Sequence, residues 1–185
     1  MDDSQIIELY FARSEKAIME TDIKYGRLCR YIAVNILANT EDGEECVNDT
    51  YFGIWNSVPP QKPGRFSAFV GKITRNLALK KYEYCTAAKR NPNVALSLSE
   101  LEECVSGRES VEEELENKRI ETVISDFLER QEEEKRIIFI RRYWYFEPIA
   151  EICRHSGFSQ SKVTSMLHYT RIKLKAYLEK EGIEL

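Results

Sequence analysis

Between Pro148 and Leu178 the chain carries Ser159, Gln160, Lys162, Thr164, Ser165, His168, Tyr169, Arg171, Lys173 and Lys175. Val163, Met166, Leu167, Thr170, Leu174 and Leu178 recur among them at helical spacing. Short hydroxyls and an imidazole can bond to base edges, and the later cations can neutralise phosphates. Together these residues could grip duplex DNA. Presenting such a helix needs a second one crossing it through a tight turn. The chain from Pro148 supplies the parts. Cys153 is small where two backbones must approach, Gly157 four residues on turns the chain, and Val163 six beyond plugs the interface. Ser159 is placed to cap the second helix, and Pro148 suits the first turn of the preceding one. The expectation is a helix-turn-helix unit from about Glu134 to Leu178 that reads the major groove. Its plain alternative is a helical hairpin with a solvated basic face.

A second set of residues invites the same chemistry. The run Phe66-Ser-Ala-Phe-Val-Gly-Lys-Ile-Thr-Arg-Asn-Leu-Ala-Leu-Lys-Lys-Tyr-Glu-Tyr mixes aromatics with Lys72, Arg75, Asn76, Lys80 and Lys81. Cations at helical spacing can follow a phosphate backbone, and aromatics can stack on unpaired bases. Phe66, Phe69 and Tyr84 can equally be core residues, and both readings stand on sequence alone. The charge distribution favours two contacts with nucleic acid. Residues 1–61 hold 5 Lys/Arg against 11 Asp/Glu, and residues 62–90 hold 8 against 1. Residues 91–134 hold 4 against 14, and residues 135–185 hold 10 against 5. A net charge of −4 thus hides two basic blocks parted by an acidic one.

The elements that must position these residues are helical. Apolar positions recur with the helical period almost throughout, and no convincing alternation marks a strand. A first stretch from about Ser4 to Ala38, with a break, has Ile7, Tyr10, Phe11, Leu28, Tyr31, Ile32 and Leu37 on its stripe. Asn39-Thr40 caps a helix that buries Val47, Tyr51, Ile54, Trp55 and Val58 and stops at Pro59-Pro60. The next helix runs from about Arg65 to Thr86, with Phe66, Phe69, Val70, Ile73, Leu77 and Tyr84 inward. Asn91 to Gly107 has no clear helical period and reads as linker. Glu109 to Glu134 carries Val111, Leu115, Ile120, Val123, Ile124, Phe127 and Leu128 on one stripe, its acids a solvated face. Glu134 to Tyr145 turns Ile137, Ile140 and Trp144 inward.

The fold class is therefore all-α, with two small helical domains joined by an acidic linker. The expected boundaries are 1–90, a linker at 91–112, and a C-terminal domain at 113–185. The five cysteines, Cys29, Cys46, Cys85, Cys104 and Cys153, form no CxxC pair and read as reduced, small hydrophobes. No metal site, cofactor or catalytic constellation stands out, and a non-enzyme is expected. The acidic start MDDSQIIELY and the lack of any apolar run near 18 residues argue against targeting or membrane insertion. The cytoplasm is the expected location.

Three stretches resemble sigma factors of RNA polymerase, of the small two-domain extracytoplasmic-function type in the sigma-70 family. Asp42-Gly-Glu-Glu-Cys-Val-Asn-Asp-Thr-Tyr-Phe-Gly-Ile-Trp is similar to the region 2 helix that docks on the polymerase β′ subunit. Phe66 to Tyr82, centred on Ile73-Thr-Arg-Asn-Leu-Ala-Leu, resembles the promoter-melting and −10-recognition helix. Glu132 to Leu178 resembles region 4, which reads the −35 element. The resemblance implies that Asn48, Asp49, Phe52 and Trp55 face or brace core polymerase. It implies that Arg65, Phe66, Lys72, Arg75, Asn76 and Lys80 serve the −10 element, with the Pro59–Phe66 loop. For the −35 element it implies Ser159, Gln160, Lys162, Thr164, Ser165, His168, Tyr169, Arg171 and Lys173. Three positions depart from the family's habit: Lys80 stands where an acidic residue is frequent, and Thr164 and Tyr169 where basic ones are. The implied partners are core RNA polymerase through β′ and β, promoter DNA, and an anti-sigma factor where one exists. The competing reading is a helix-turn-helix repressor or response-regulator effector with a helical sensor domain. Such proteins usually bind palindromes as dimers; no dimerisation heptad is evident here.

Overall fold

A computed structural model describes residues 1–85, 90–102 and 113–183, with side chains from 119 onward in the last stretch. Cys104, Val111 and the side chain of Leu115 lie outside the described residues. Among those residues the chain is entirely helical and divides into two compact units, Met1–Asn91 and Pro92–Leu185.

The first unit holds α1 (Asp3–Phe11), α2 (Lys16–Leu37), α3 (Thr40–Ser57) and α4 (Phe66–Tyr84). A capping box opens α1: the Gln5 amide donates to Asp2 Oδ1 at 2.9 Å, and the Asp2 amide to Gln5 Oε1 at 3.2 Å. The expected break falls after Ala12, where Arg13 takes a left-handed φ of 53°. Asn39 caps α3, its side chain accepting the Asp42 amide at 3.0 Å. Glu41 and Asp42 in that first turn suit the positive end of the helix dipole. The core gathers Ile6, Tyr10, Ile32, Ile36, Ile54, Phe66 and Val70, all essentially inaccessible. Each such side chain contributes roughly 1.5–3 kcal/mol through burial. At Gly53 a β-carbon would sit 3.2 Å from Ile73 Cγ2, so glycine lets α3 and α4 approach closely. The buried hydroxyls of Thr21, Thr50 and Thr74 each donate to the carbonyl four residues back, which leaves none of them unsatisfied.

The second unit holds α5 (Pro92–Glu102), α6 (Glu113–Glu129), α7 (Glu133–Tyr143), α8 (Ile149–Ser156) and α9 (Gln160–Lys180). Its core joins Phe127 of α6, Ile138, Phe139 and Tyr143 of α7, Ile152 of α8, and Val163, Leu167, Leu174 and Leu178 of α9. Val163 is fully buried, as a plug between α8 and α9 must be.

Three expectations from sequence need correction. Residues 92–102, assigned to a linker, form α5, whose Asn93 and Glu100 are bonded to α7 and the turn after it. The stripe Ile137, Ile140 and Trp144 does not face the core: Ile137 and Trp144 are exposed, and α7 buries Ile138, Phe139, Arg142 and Tyr143. Tyr84, expected on the inner face of α4, is 80% exposed. In each case packing partners distant in sequence choose the face. Phe11 and Tyr31 likewise lie largely outside the core.

Candidate nucleic-acid interface

On α3, Asn48, Asp49 and Phe52 share one exposed face. Phe52 is 67% exposed, a large apolar ring held in water on an otherwise polar surface. Trp55 stands half-buried at the end of this face, edge-on to Tyr10 at 6.1 Å and beneath the Arg13 guanidinium at 5.3 Å. Arg13 also donates to the Trp55 carbonyl at 2.6 Å, which fixes the last turn of α3. Trp55 therefore braces the face more than it forms it.

On α4, Lys72, Asn76 and Lys80 are exposed and follow one another at intervals of four, which puts them on a single outward stripe. Arg65 is exposed just ahead of the helix, and Lys62 in the same loop adds an exposed cation that motif reading passed over. Arg75 lies half-buried beside the stripe, where burial holds its guanidinium below the ordinary value. Lys81 is drawn across to α3, 3.1 Å from Asp42 and 2.5 Å from Glu45. Burial opposes its charge, yet the bonds to Glu45 and Asp42 prevail and raise its pKa. Phe66 does not reach nucleic acid: it is 1% exposed, packed among Tyr10, Tyr25 and Phe69 at 5.8 to 6.5 Å. An aromatic at the first helical position seals the core beneath the loop, which corrects the expectation that it meets the −10 element.

In the second unit, α8 ends at Gly157, whose φ of 72° is the left-handed conformation that glycine adopts freely. Its amide donates to the Cys153 carbonyl at 2.9 Å. Ser159 then caps α9, its Oγ accepting the Lys162 amide at 3.3 Å. Gln160, Lys162, Thr164, Ser165, His168, Tyr169 and Lys173 all lie exposed along α9. Lys162 Nζ sits 3.5 Å above the Phe158 ring, a cation–π contact that steers its charge toward the turn. His168 and Tyr169 meet edge to face at 5.5 Å. Arg171 departs from this set. Its guanidinium turns back to α7, donating to Tyr143 Oη at 2.6 Å, with a Glu100 oxygen 3.6 Å away.

Two exposed polar or cationic helix faces, one in each unit, thus stand where nucleic acid could meet them. Residues 23–84 match the family described as sigma-70 region 2. That stretch is about a third of the chain. The match runs from the first third of α2 through the whole of α3 and α4. It takes in the exposed face of α3 and the basic stripe of α4 together. No curated protein matches this chain. Among solved structures, one of CnrH in complex with the cytosolic domain of CnrY is 17% identical. That alignment covers 96% of this chain and 97% of the other, with a TM-score of 0.44, too distant to transfer residue roles. Among the described residues no cluster of His, Cys, Asp and Glu could hold a metal ion, and no helix is long and apolar enough to cross a membrane.

Proposed function

We propose that this chain is a sigma factor of the extracytoplasmic-function type, works in the cytoplasm without catalytic activity of its own, and divides promoter recognition between its two units. The exposed face Asn48–Asp49–Phe52 docks on the β′ subunit of core polymerase, with Trp55 bracing it. The stripe Lys72–Asn76–Lys80, with Arg65 and the loop before α4, holds the unpaired strand of the −10 element. In the second unit, α9 enters the major groove of the −35 element. Thr164, Ser165 and His168 meet base edges there, and Lys162 and Lys173 meet phosphates. An anti-sigma factor would silence the protein by covering the Phe52 face.

The observation that carries this reading is the presence in one chain of the region 2 match and of a capped helix-turn-helix with an exposed polar face. A repressor would need the second feature and leave the first without a use.

Run-off transcription with core polymerase on a genomic promoter library tests the reading. Selective transcripts are expected only when the chain is present. Phe52→Ala should weaken core binding by tenfold or more, about 1.4 kcal/mol or above for an interface anchor, with the melting temperature unchanged. Core polymerase that neither binds the chain nor gains selectivity would refute it.

A further inference from the structure

The second unit contains a polar cluster that neither the region 2 match nor DNA contact explains. Arg142, on the inner face of α7, is fully buried. Glu100 of α5 meets it with both carboxylate oxygens, at 3.2 and 3.0 Å, and Asn93 of α5 accepts from it at 2.5 Å. Tyr143 Oη donates to Glu100 at 2.9 Å and accepts from Arg171 of α9 at 2.6 Å. One carboxylate on α5 therefore ties down α7 directly, and α9 both through a phenol and by an ion pair to Arg171 at 3.6 Å. Its effect on α9 is specific: Arg171 follows His168 by one turn, and its side chain is only 13% exposed, whereas its neighbours on that face lie open.

The attachment of α5 is mostly polar. Val94 and Ser97 are its buried residues, Leu101 packs only partly on the core, and Leu96 is 55% exposed. An 11-residue helix is marginal by itself in water, so α5 depends on what it docks against. Both α5 side chains that engage Arg142 leave together if α5 lifts. That motion removes the cover from Arg142 at the same moment as its partners, so the guanidinium gains water and is not stranded in apolar surroundings. An element held in this way is drawn from the low-stability end of a fold.

We propose that α5 is a displaceable clamp on the DNA-reading unit: while docked, Glu100 and Tyr143 withhold Arg171 from DNA, and release of α5 returns that cation to the backbone of the duplex. The clamp sets the number of phosphates that the second unit neutralises, and so its grip. This rests on the reading that α9 binds duplex DNA.

The test uses the full chain bound to core polymerase and a duplex fragment taken from the strongest promoter in the run-off screen. Binding is followed across a range of KCl concentrations. Each phosphate contact adds about 0.9 to the slope of log K against log salt. Glu100→Gln should steepen the slope by about 0.9 and tighten binding at low salt by roughly five- to tenfold. Tyr143→Phe, which leaves the Glu100–Arg142 pair intact, should move the slope the same way and carries the test if Glu100→Gln does not fold. Adding Arg171→Gln to either variant should cancel the gain, while Arg171→Gln alone should leave the slope unchanged. A full-unit flattening by Arg171→Gln alone would overturn the clamp, because Arg171 would already be on DNA. So would unchanged slopes in folded Glu100→Gln and Tyr143→Phe. Wild-type binding indifferent to salt and to Lys173→Ala would instead remove the reading of α9, and the clamp with it.

Discussion

Phe66 and Asn76 share α4 and a resemblance to the same promoter-melting helix, but they stand in different surroundings. Phe66 is packed against Tyr10, Tyr25 and Phe69, while Asn76 is open to solvent between Lys72 and Lys80. Truncating the first leaves a cavity; truncating the second leaves only water. Phe66→Ala should cost about 3–5 kcal/mol and lower the urea midpoint of the whole first unit. Asn76→Ala should leave that midpoint where it is and slow open-complex formation several-fold at unchanged core affinity. Its defect should shrink on a template already melted at −10, since the proposed contact is with unpaired bases. A clear loss of stability in Asn76→Ala, or normal opening, would take Asn76 out of the melting surface. The cysteines separate by surroundings in the same way: Cys29 and Cys46 are buried and their thiols held protonated, whereas Cys85 and Cys153 are partly accessible.

At the scale of the element, the α8–turn–α9 pair was legible because its requirements are local. A small residue, a glycine able to take a left-handed turn and a hydroxyl cap each act within a few residues of their own position, and Cys153, Gly157 and Ser159 fill those places. Ser159→Ala should therefore cost about 1 kcal/mol of stability in the second unit, read from its urea midpoint, and Ser159→Asp should recover most of it. An unchanged midpoint in Ser159→Ala would mean that the cap is redundant. α5 and the inward face of α7 were not legible, for the opposite reason. In Pro92-Asn-Val-Ala-Leu-Ser-Leu-Ser-Glu-Leu-Glu the proline and the serines at 97 and 99 read as linker and mask a short helix. Its order comes from Arg142 and the Phe146 carbonyl, some fifty residues away. α7 offers two overlapping apolar stripes, and the turn of the helix that buries Phe139 and Tyr143 is selected by α9. Site residues followed the same division: exposed polar positions on α9 and α4 stood as the sequence suggested, while Phe66 and Arg171 were claimed by packing that no local pattern encodes.

For the molecule as a whole, the buried acids that titrate in the alkaline range point in one direction. Burial comes first among the causes that raise Tyr10, Tyr25, Tyr51, Tyr143 and Cys29, and it pushes the Cys46 thiol from 9.0 to about 12. For Tyr25 and Tyr51, a carboxylate accepting from the phenol, Asp3 and Asp22 respectively, adds to the effect. In every case the folded state binds its proton more tightly than the unfolded chain does. Stability from these groups is complete below about pH 9, where both states are protonated, and falls as pH rises toward the folded values. Near pH 10.5 the Cys46 thiol alone should account for a loss on the order of 2 kcal/mol. Lys81 acts in the same sense, since its raised pKa marks ion pairs to Asp42 and Glu45 that vanish on deprotonation. Most of these groups lie in the first unit, so its urea midpoint should drop more steeply between pH 8 and 10.5 than that of the second. Cys46→Ala should lower the midpoint at pH 8 but reduce its dependence on pH. Equal and shallow pH dependence in both units would show that these protons are not linked to folding.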